Sequence, residues 1–375
     1  MSLLINQFLK PNGLYFLNHS MGCLNKNQEI AKELYFHSWK NKGGNSWEEW
    51  LPYLENFHKI LAEITFSKSK NFCYQINNSS ALLKIIHAIP KNNKRKKIIL
   101  SDLEFPSMQF IFNFLPKDFY EFILIKSKNG RIQTEQWLNE IDDKTLFLLV
   151  SHVTYGNSFK QPIVDIANKC RKFNVISILD LAQSIGVIPI NLENSNFDFA
   201  IGSCLKWLCG GTGTGFIWAN SSVFGKINSN AFGWFGMENI FAENIDELKK
   251  SSNSSQFMDG TPCILPLMLA IESIKLLNNI GFENIYKKNQ EYISYLHSYM
   301  QEKPKIKVLS PLQHDERGGT FVFSTKNDEQ FLNYLKQEKV FVDSKPNYGI
   351  RFSPHIYNTW DEIYKFKEIV ENFEF

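Results

Sequence analysis

The chain has 375 residues, of which 43% are hydrophobic and 21% charged, with a formal net charge of +3. That length supports a large core and two domains, and that balance excludes a disordered or fibrous chain. So small a net charge gives no reason to expect nucleic acid or an anionic membrane as a partner.

The first ten residues, Met1 to Lys10, have neither a basic start nor a long apolar stretch, so no secretory signal is expected. No segment reaches the ~18 uninterrupted apolar residues of a membrane span. Residues 81–88 have helical spacing and open after Asn77-Asn78-Ser79-Ser80, a run of cap-type residues. The basic run 92–97 reads as a solvated loop and not as a nucleic-acid patch. Residues 97–100, 122–125 and 145–150 are short buried strands, the last running into Ser151-His152. A helix is expected at 163–173, followed by a strand at 175–179 that ends in Asp180, with Gln183 three residues on. A further apolar strand, 197–201, leads to Ser203 and Lys206 and then to the glycine-rich run Cys209-Gly210-Gly211-Thr212-Gly213-Thr214-Gly215. The Ser/Asn tract 251–255 reads as a mobile loop. Helical spacing returns at 265–277 and 285–301, leading into a smaller C-terminal domain with a strand at 320–323 and a closing helix at 360–373. Strands alternating with helices argue for an α/β fold with a mainly parallel sheet covered on both faces.

A lysine between an apolar strand and a flexible glycine segment is placed as an amine must be to bond a carbonyl cofactor. Ligands of open α/β sheets gather at the carboxyl ends of strands, where Asp180 and Lys206 can converge. The pair suggests pyridoxal phosphate, with Asp180 on the ring nitrogen and Lys206 on the aldehyde. No G-x-S-x-G elbow, Walker loop or H-E-x-x-H is present. The glycine run follows a lysine and does not open a βαβ unit, so it is not a dinucleotide fingerprint. The six cysteines are scattered, without a C-x-x-C pair or a Cys/His cluster; they read as reduced thiols of a cytoplasmic protein with no metal site.

The segment Leu179-Asp180-Leu181-Ala182-Gln183-Ser184-Ile185-Gly186 resembles the Asp-Leu-Ala-His segment of kynureninases, within the class V aminotransferase superfamily of fold type I. Phe105-Pro106-Ser107, Ser151-His152-Val153-Thr154-Tyr155, Gly233-Trp234-Phe235-Gly236 and Gly260-Thr261-Pro262 match the same pattern in order. So do Pro346-Asn347, Ile350-Arg351-Phe352-Ser353-Pro354 and Tyr357-Asn358-Thr359, so the resemblance spans nearly the whole chain. It implies the fold-type I transferase architecture: a segment 1–30 joining the small domain, a cofactor-binding domain 31–265, and an α+β domain 266–375.

The resemblance assigns Lys206 and Asp180 to catalysis. Gln183 would donate to the ring phenolate oxygen, and Phe105 would stack on the ring. Asn78 and Ser79, at a helix start, and Ser203 would bind the phosphate; Ser107 and Ser151 belong to the same cofactor site. Arg351 would grip a substrate α-carboxylate with two parallel hydrogen bonds. Trp234 and Thr261, with Phe235 on the substrate side, would reach the active site of a neighbouring subunit, which implies a homodimer.

The chain also departs from the kynureninase pattern. Leu205 stands where a Tyr precedes the lysine, Met108 where Phe-Pro-Ser is followed by Asp, Gln183 where the pattern has His, and Gly156-Asn157-Ser158 where it has Arg-Thr-Gly. The first expectation is hydrolytic Cβ–Cγ cleavage of an amino acid, kynurenine giving anthranilate and alanine. The alternatives are transamination or β-elimination on another amino acid, or a protein that binds pyridoxal phosphate without catalysis. A desulfurase would need a nucleophilic cysteine shortly before the arginine, and no cysteine follows Cys263.

Overall fold

Seven short apolar segments pair into one sheet in the computed structural model, which describes residues 2–91, 94–230 and 232–375. They are β1 (Phe72–Gln75), β2 (Lys97–Ser101), β3 (Glu121–Ile125), β4 (Thr145–Ser151), β5 (Ile176–Asp180), β6 (Phe199–Ser203) and β7 (Gly215–Ala219). Their spatial order is β1-β7-β6-β5-β4-β2-β3. β3, β2, β4, β5 and β6 run parallel to their neighbours, whereas β7 is antiparallel to both β6 and β1. Every residue of β1, β2, β4 and β7 is buried, as a sheet covered on both faces requires.

The covering helices follow from local signals. Asn77 caps the helix Asn78–Ala88, its side chain accepting from Ser80 N at 2.9 Å. The helix Ile163–Phe173 ends where Asn174 turns left-handed, with φ of 52°. The helices Lys26–Lys42, Trp47–Ile64 and Ile264–Ile280 contribute to the core that encloses this sheet. Among the described residues, no single helix is long and apolar enough to cross a membrane.

A second, antiparallel sheet is formed by β8 (Ile306–Val308), β9 (Phe321–Thr325), β10 (Asp343–Lys345) and β11 (Gly349–Phe352), in the order β8-β9-β11-β10. Its core takes side chains from the helices Phe282–Gln301, Asp328–Gln337 and Trp360–Glu371. Leu14 and Phe16 are buried in that same core, and Leu14–Tyr15 pairs in parallel with Val340–Phe341.

Two expectations are corrected. The Ser/Asn tract is packed: Ser254 is fully buried and donates to Asn71 O at 2.7 Å, and Asn253 caps the turn Ser254–Phe257. The basic run is not simply solvated, although its Asn92 and Asn93 lie outside the described residues. Arg95 donates to Phe173 O and Asn174 O at 2.9 Å each, and the buried Lys97 pairs with Asp142 at 2.6 Å. Both cations hold strand and helix ends together.

Candidate active site

β4, β5 and β6 end on Ser151, Asp180 and Ser203, so three polar side chains leave the sheet at the same edge. Ser151 lies beside Asp180 in register. The start of the helix Asn78–Ala88 and the loop after β6 meet there, around a cavity of about 230 Å³. Of the expected residues, Asn78, Ser79, Phe105, Ser151, Asp180, Gln183, Ser203 and Lys206 line it together.

Lys206 is partly buried at the cavity wall. Loss of solvent pushes its ammonium down to about 8; the Asp180 carboxylate opposes that shift and the Arg351 charge adds to it. The Lys206 Nζ stands 5.7 Å from the centre of the Phe105 ring, which meets Tyr155 edge-on. Asp180 is buried, which raises its carboxyl, while the Ala182 N–H, Lys206 and Asn78 act in the other direction. Its Oδ1 accepts from Asn78 Nδ2 at 2.9 Å and from Ala182 N at 2.8 Å. Those two bonds fall on one oxygen, so Oδ2 can serve a further donor.

Close backbone contact builds the lysine loop. Gly22 N donates to Leu205 O at 3.0 Å, and a Cβ on Gly22 would lie 2.3 Å from Lys206 O. Gly186, with φ of +96°, leaves no room for a Cβ, which would lie 2.7 Å from Trp207 C. Both contacts require glycine.

The residues fit pyridoxal phosphate. A lysine with a lowered pKa faces a carboxylate across the cavity, and Asn78 Oδ1 is buried without a partner among the described residues. Asn77 takes only Ser80 N, so the Asn78 and Ser79 N–H groups at the positive helix end are available to an anion. Phe105 keeps 42% of its surface exposed, as a stacking platform would before its ligand is added.

Several expected residues have different surroundings. The Asn78 amide N–H goes to Asp180, so its side chain supports the carboxylate. Ser151 donates its hydroxyl to the fully buried Glu104, which also takes Ser151 N and Ser101 Oγ. The Ser151 oxygen can still accept a hydrogen bond from a ligand. Gln183 donates to His19 O at 3.0 Å and keeps one amide N–H. Ser107, on the first turn of Pro106–Asn113, does not line the cavity. Neither do Trp234 and Thr261, which are exposed, nor Phe235, which is buried in the large core.

Arg351 is buried, with its fork on Asp343: Nε to Oδ1 at 2.8 Å and Nη2 to Oδ2 at 2.5 Å. Its Nη1 donates to Tyr155 O at 2.9 Å. The departures also have local reasons. Leu205 and Met108 line the cavity with Val153 as an apolar wall. Gly156 leaves room for Tyr348, whose Cε1 would be 2.2 Å from a Cβ there. Ser158 has φ of 63°, and its Oγ accepts from Thr320 N at 3.0 Å. Asn77, Glu104 and Tyr155 also belong to the site; Asn77 was legible as a cap residue, whereas nothing in the local sequence marks Glu104.

A model of the class-V aminotransferase family matches residues 54–366. Similar proteins include a kynureninase from Bacillus cereus, 24% identical over 98% of this chain and 91% of that one. An uncharacterized aminotransferase, YcbU of Bacillus subtilis, is 25% identical over 88% of this chain and 86% of its own. Among solved structures, the cystine C–S lyase C-DES, in a variant with glycine covalently linked to its PLP cofactor, superposes with a TM-score of 0.88 at 17% identity, covering 97% of each chain.

Proposed function

Since the chain belongs to the class-V aminotransferase family and is a pyridoxal-phosphate enzyme of fold type I, we propose that it cleaves the Cβ–Cγ bond of an amino acid with an aromatic side chain. In this reading kynurenine and water give alanine and anthranilate. Similarity to kynureninases over nearly the whole chain supports it. The observation that carries it is the cavity wall: Phe105, Tyr155 and Val153 offer aromatic and apolar surface beside Lys206.

Bound pyridoxal phosphate supplies a carbon that captures amines and a ring that draws electrons from bonds to the substrate α-carbon. Lys206 holds the cofactor and, once free of it, moves the proton at the α-carbon; a pKa near 8 leaves part of it neutral for that task. Asp180 holds a proton at the ring nitrogen, with Asn78 and Ala182 fixing its orientation. Arg351 holds the α-carboxylate through the N–H groups that Asp343 and Tyr155 leave over. Trp234 and Thr261 complete the site of a second copy in a homodimer.

The test is incubation of purified, cofactor-loaded protein with kynurenine and 3-hydroxykynurenine, following the aromatic amine by fluorescence. Release of anthranilate with equimolar alanine is expected. A second reading, β-elimination or transamination on another amino acid, is favoured by Leu205 and Met108, which remove two polar groups from the pattern. Pyruvate or a keto acid without anthranilate would decide for it.

A further inference from the structure

The segment before residue 24 joins the lysine loop to Arg351, and His19 is its link. His19 is buried, its Nε2 stands 2.8 Å from Asp343 Oδ1, and its Nδ1 stands 2.6 Å from Ser353 Oγ. Its own carbonyl accepts from Gln183 Nε2 in the cavity wall. Ser353 Oγ in turn lies 2.8 Å from Thr320 Oγ1. Proton positions along this chain follow from charge. Arg351 and His19 hold the Asp343 carboxyl well below the usual carboxylate range despite its partial burial, so Asp343 only accepts. Burial pushes His19 down to about 4, so its ring is neutral. Nε2 therefore carries the proton and donates to Asp343, while Nδ1 accepts from Ser353. Asp343 Oδ1 receives both His19 and Arg351 Nε.

Arg351 has five N–H groups. Two go to Asp343 and one to Tyr155 O, which leaves one on each terminal nitrogen. Those two suit a carboxylate only if the guanidinium keeps its present rotation, and Asp343 sets that rotation.

We propose that His19 is a positioning residue for substrate binding: its Nε2 hydrogen bond fixes Asp343, and Asp343 fixes the edge that Arg351 offers to a substrate α-carboxylate. This rests on the reading that Arg351 holds that carboxylate.

The probes are L-alanine and ethylamine, the same amine without a carboxylate, titrated into cofactor-loaded protein by the change in cofactor absorbance. The readout is the ratio of their affinities, with cofactor content and melting temperature measured alongside. His19→Asn keeps an acceptor where Nδ1 stands but loses the donor; His19→Gln keeps an N–H at the reach of Nε2. The ratio is expected to fall about ten-fold in His19→Ala and His19→Asn and to recover in His19→Gln, as loss of one hydrogen bond to a charged group predicts. Ethylamine affinity and cofactor content should stay level. If Arg351→Ala abolishes the preference for alanine while His19→Ala and His19→Asn keep it, the role of His19 is overturned. An equal fall for both probes, or a Gln variant that behaves like Asn, overturns it as well. If alanine gains nothing over ethylamine even in the unmutated protein, or Arg351→Ala leaves the preference intact, the reading of Arg351 falls and this inference with it.

Discussion

Lys206 sits between opposing influences: burial and Arg351 lower its pKa, and Asp180 raises it. Only the neutral amine captures an aldehyde, so cofactor uptake by the stripped protein should speed up as pH rises and level off above about 8. Asp180→Asn removes the raising charge, so the plateau should begin at lower pH, while catalysis largely fails for want of a partner at the ring nitrogen. Stopped-flow absorbance between pH 6 and 9 reads both, and a flat profile would contradict the burial of the amine. Glu104 gives a stability test. Burial raises its carboxyl from 4.5 to about 7, against hydrogen bonds from Ser151 and Ser101. The unfolded chain ionises it first, so its contribution is complete below pH 4.5 and is lost as pH climbs through about 7. The loss amounts to about 3 kcal/mol. Urea unfolding of Glu104→Gln should lack that part of the slope; parallel curves for both proteins would refute it. Lys206 and Asp180 were legible in the sequence because each follows an apolar strand. Glu104, His19 and Asp343 were not singled out, because their roles exist only through partners distant in sequence, such as Ser151, 47 residues from Glu104.

At the level of elements, β2, β4 and the helix Ile163–Phe173 were readable because unbroken apolar runs, rich in Ile, Leu and Phe, and a clean 3.6-residue period leave few alternatives. β1 has four residues, and β7 follows directly on the glycine run, so neither presents a pattern before its neighbours bury it. The helix Trp47–Ile64 carries Pro52 inside it, which argues locally against a helix. The serine tract misled for the opposite reason, since polar composition suggests a loop while hydrogen bonds to Asn71 bury it. The contact between the N-terminal segment and the lysine loop has no sequence signature beyond Gly22. A methyl group there must displace both Lys206 O and Cys209. Gly22→Ala should therefore cost about 1–3 kcal/mol in stability and weaken cofactor binding. Melting and equilibrium dialysis measure the two effects, and unchanged values would mean that the loop yields without consequence.

For the whole molecule, the proposed homodimer makes a strong demand on Trp234 and Thr261, which sit outside their own chain's cavity. If they serve a second copy, a Lys206→Ala chain and a Trp234→Ala chain, each inactive alone, should complement when refolded together. Random pairing puts one intact site in half of the dimers, so about a quarter of full activity should return. No recovery would assign Trp234 to its own subunit or to packing alone. The segment around His19 has a consequence in time as well as in space. Asn18 meets Tyr357, 339 residues away, and Phe16 N donates to Phe341 O. A ribosome makes Tyr357 339 residues after Asn18, and contacts so far apart along the chain form slowly. Synthesis can complete the large sheet with its lysine long before Arg351 exists. His355, whose ring meets Trp207 O in the lysine loop, is made later still. The lysine loop and the arginine thus reach their final packing on the same late-made stretch of chain.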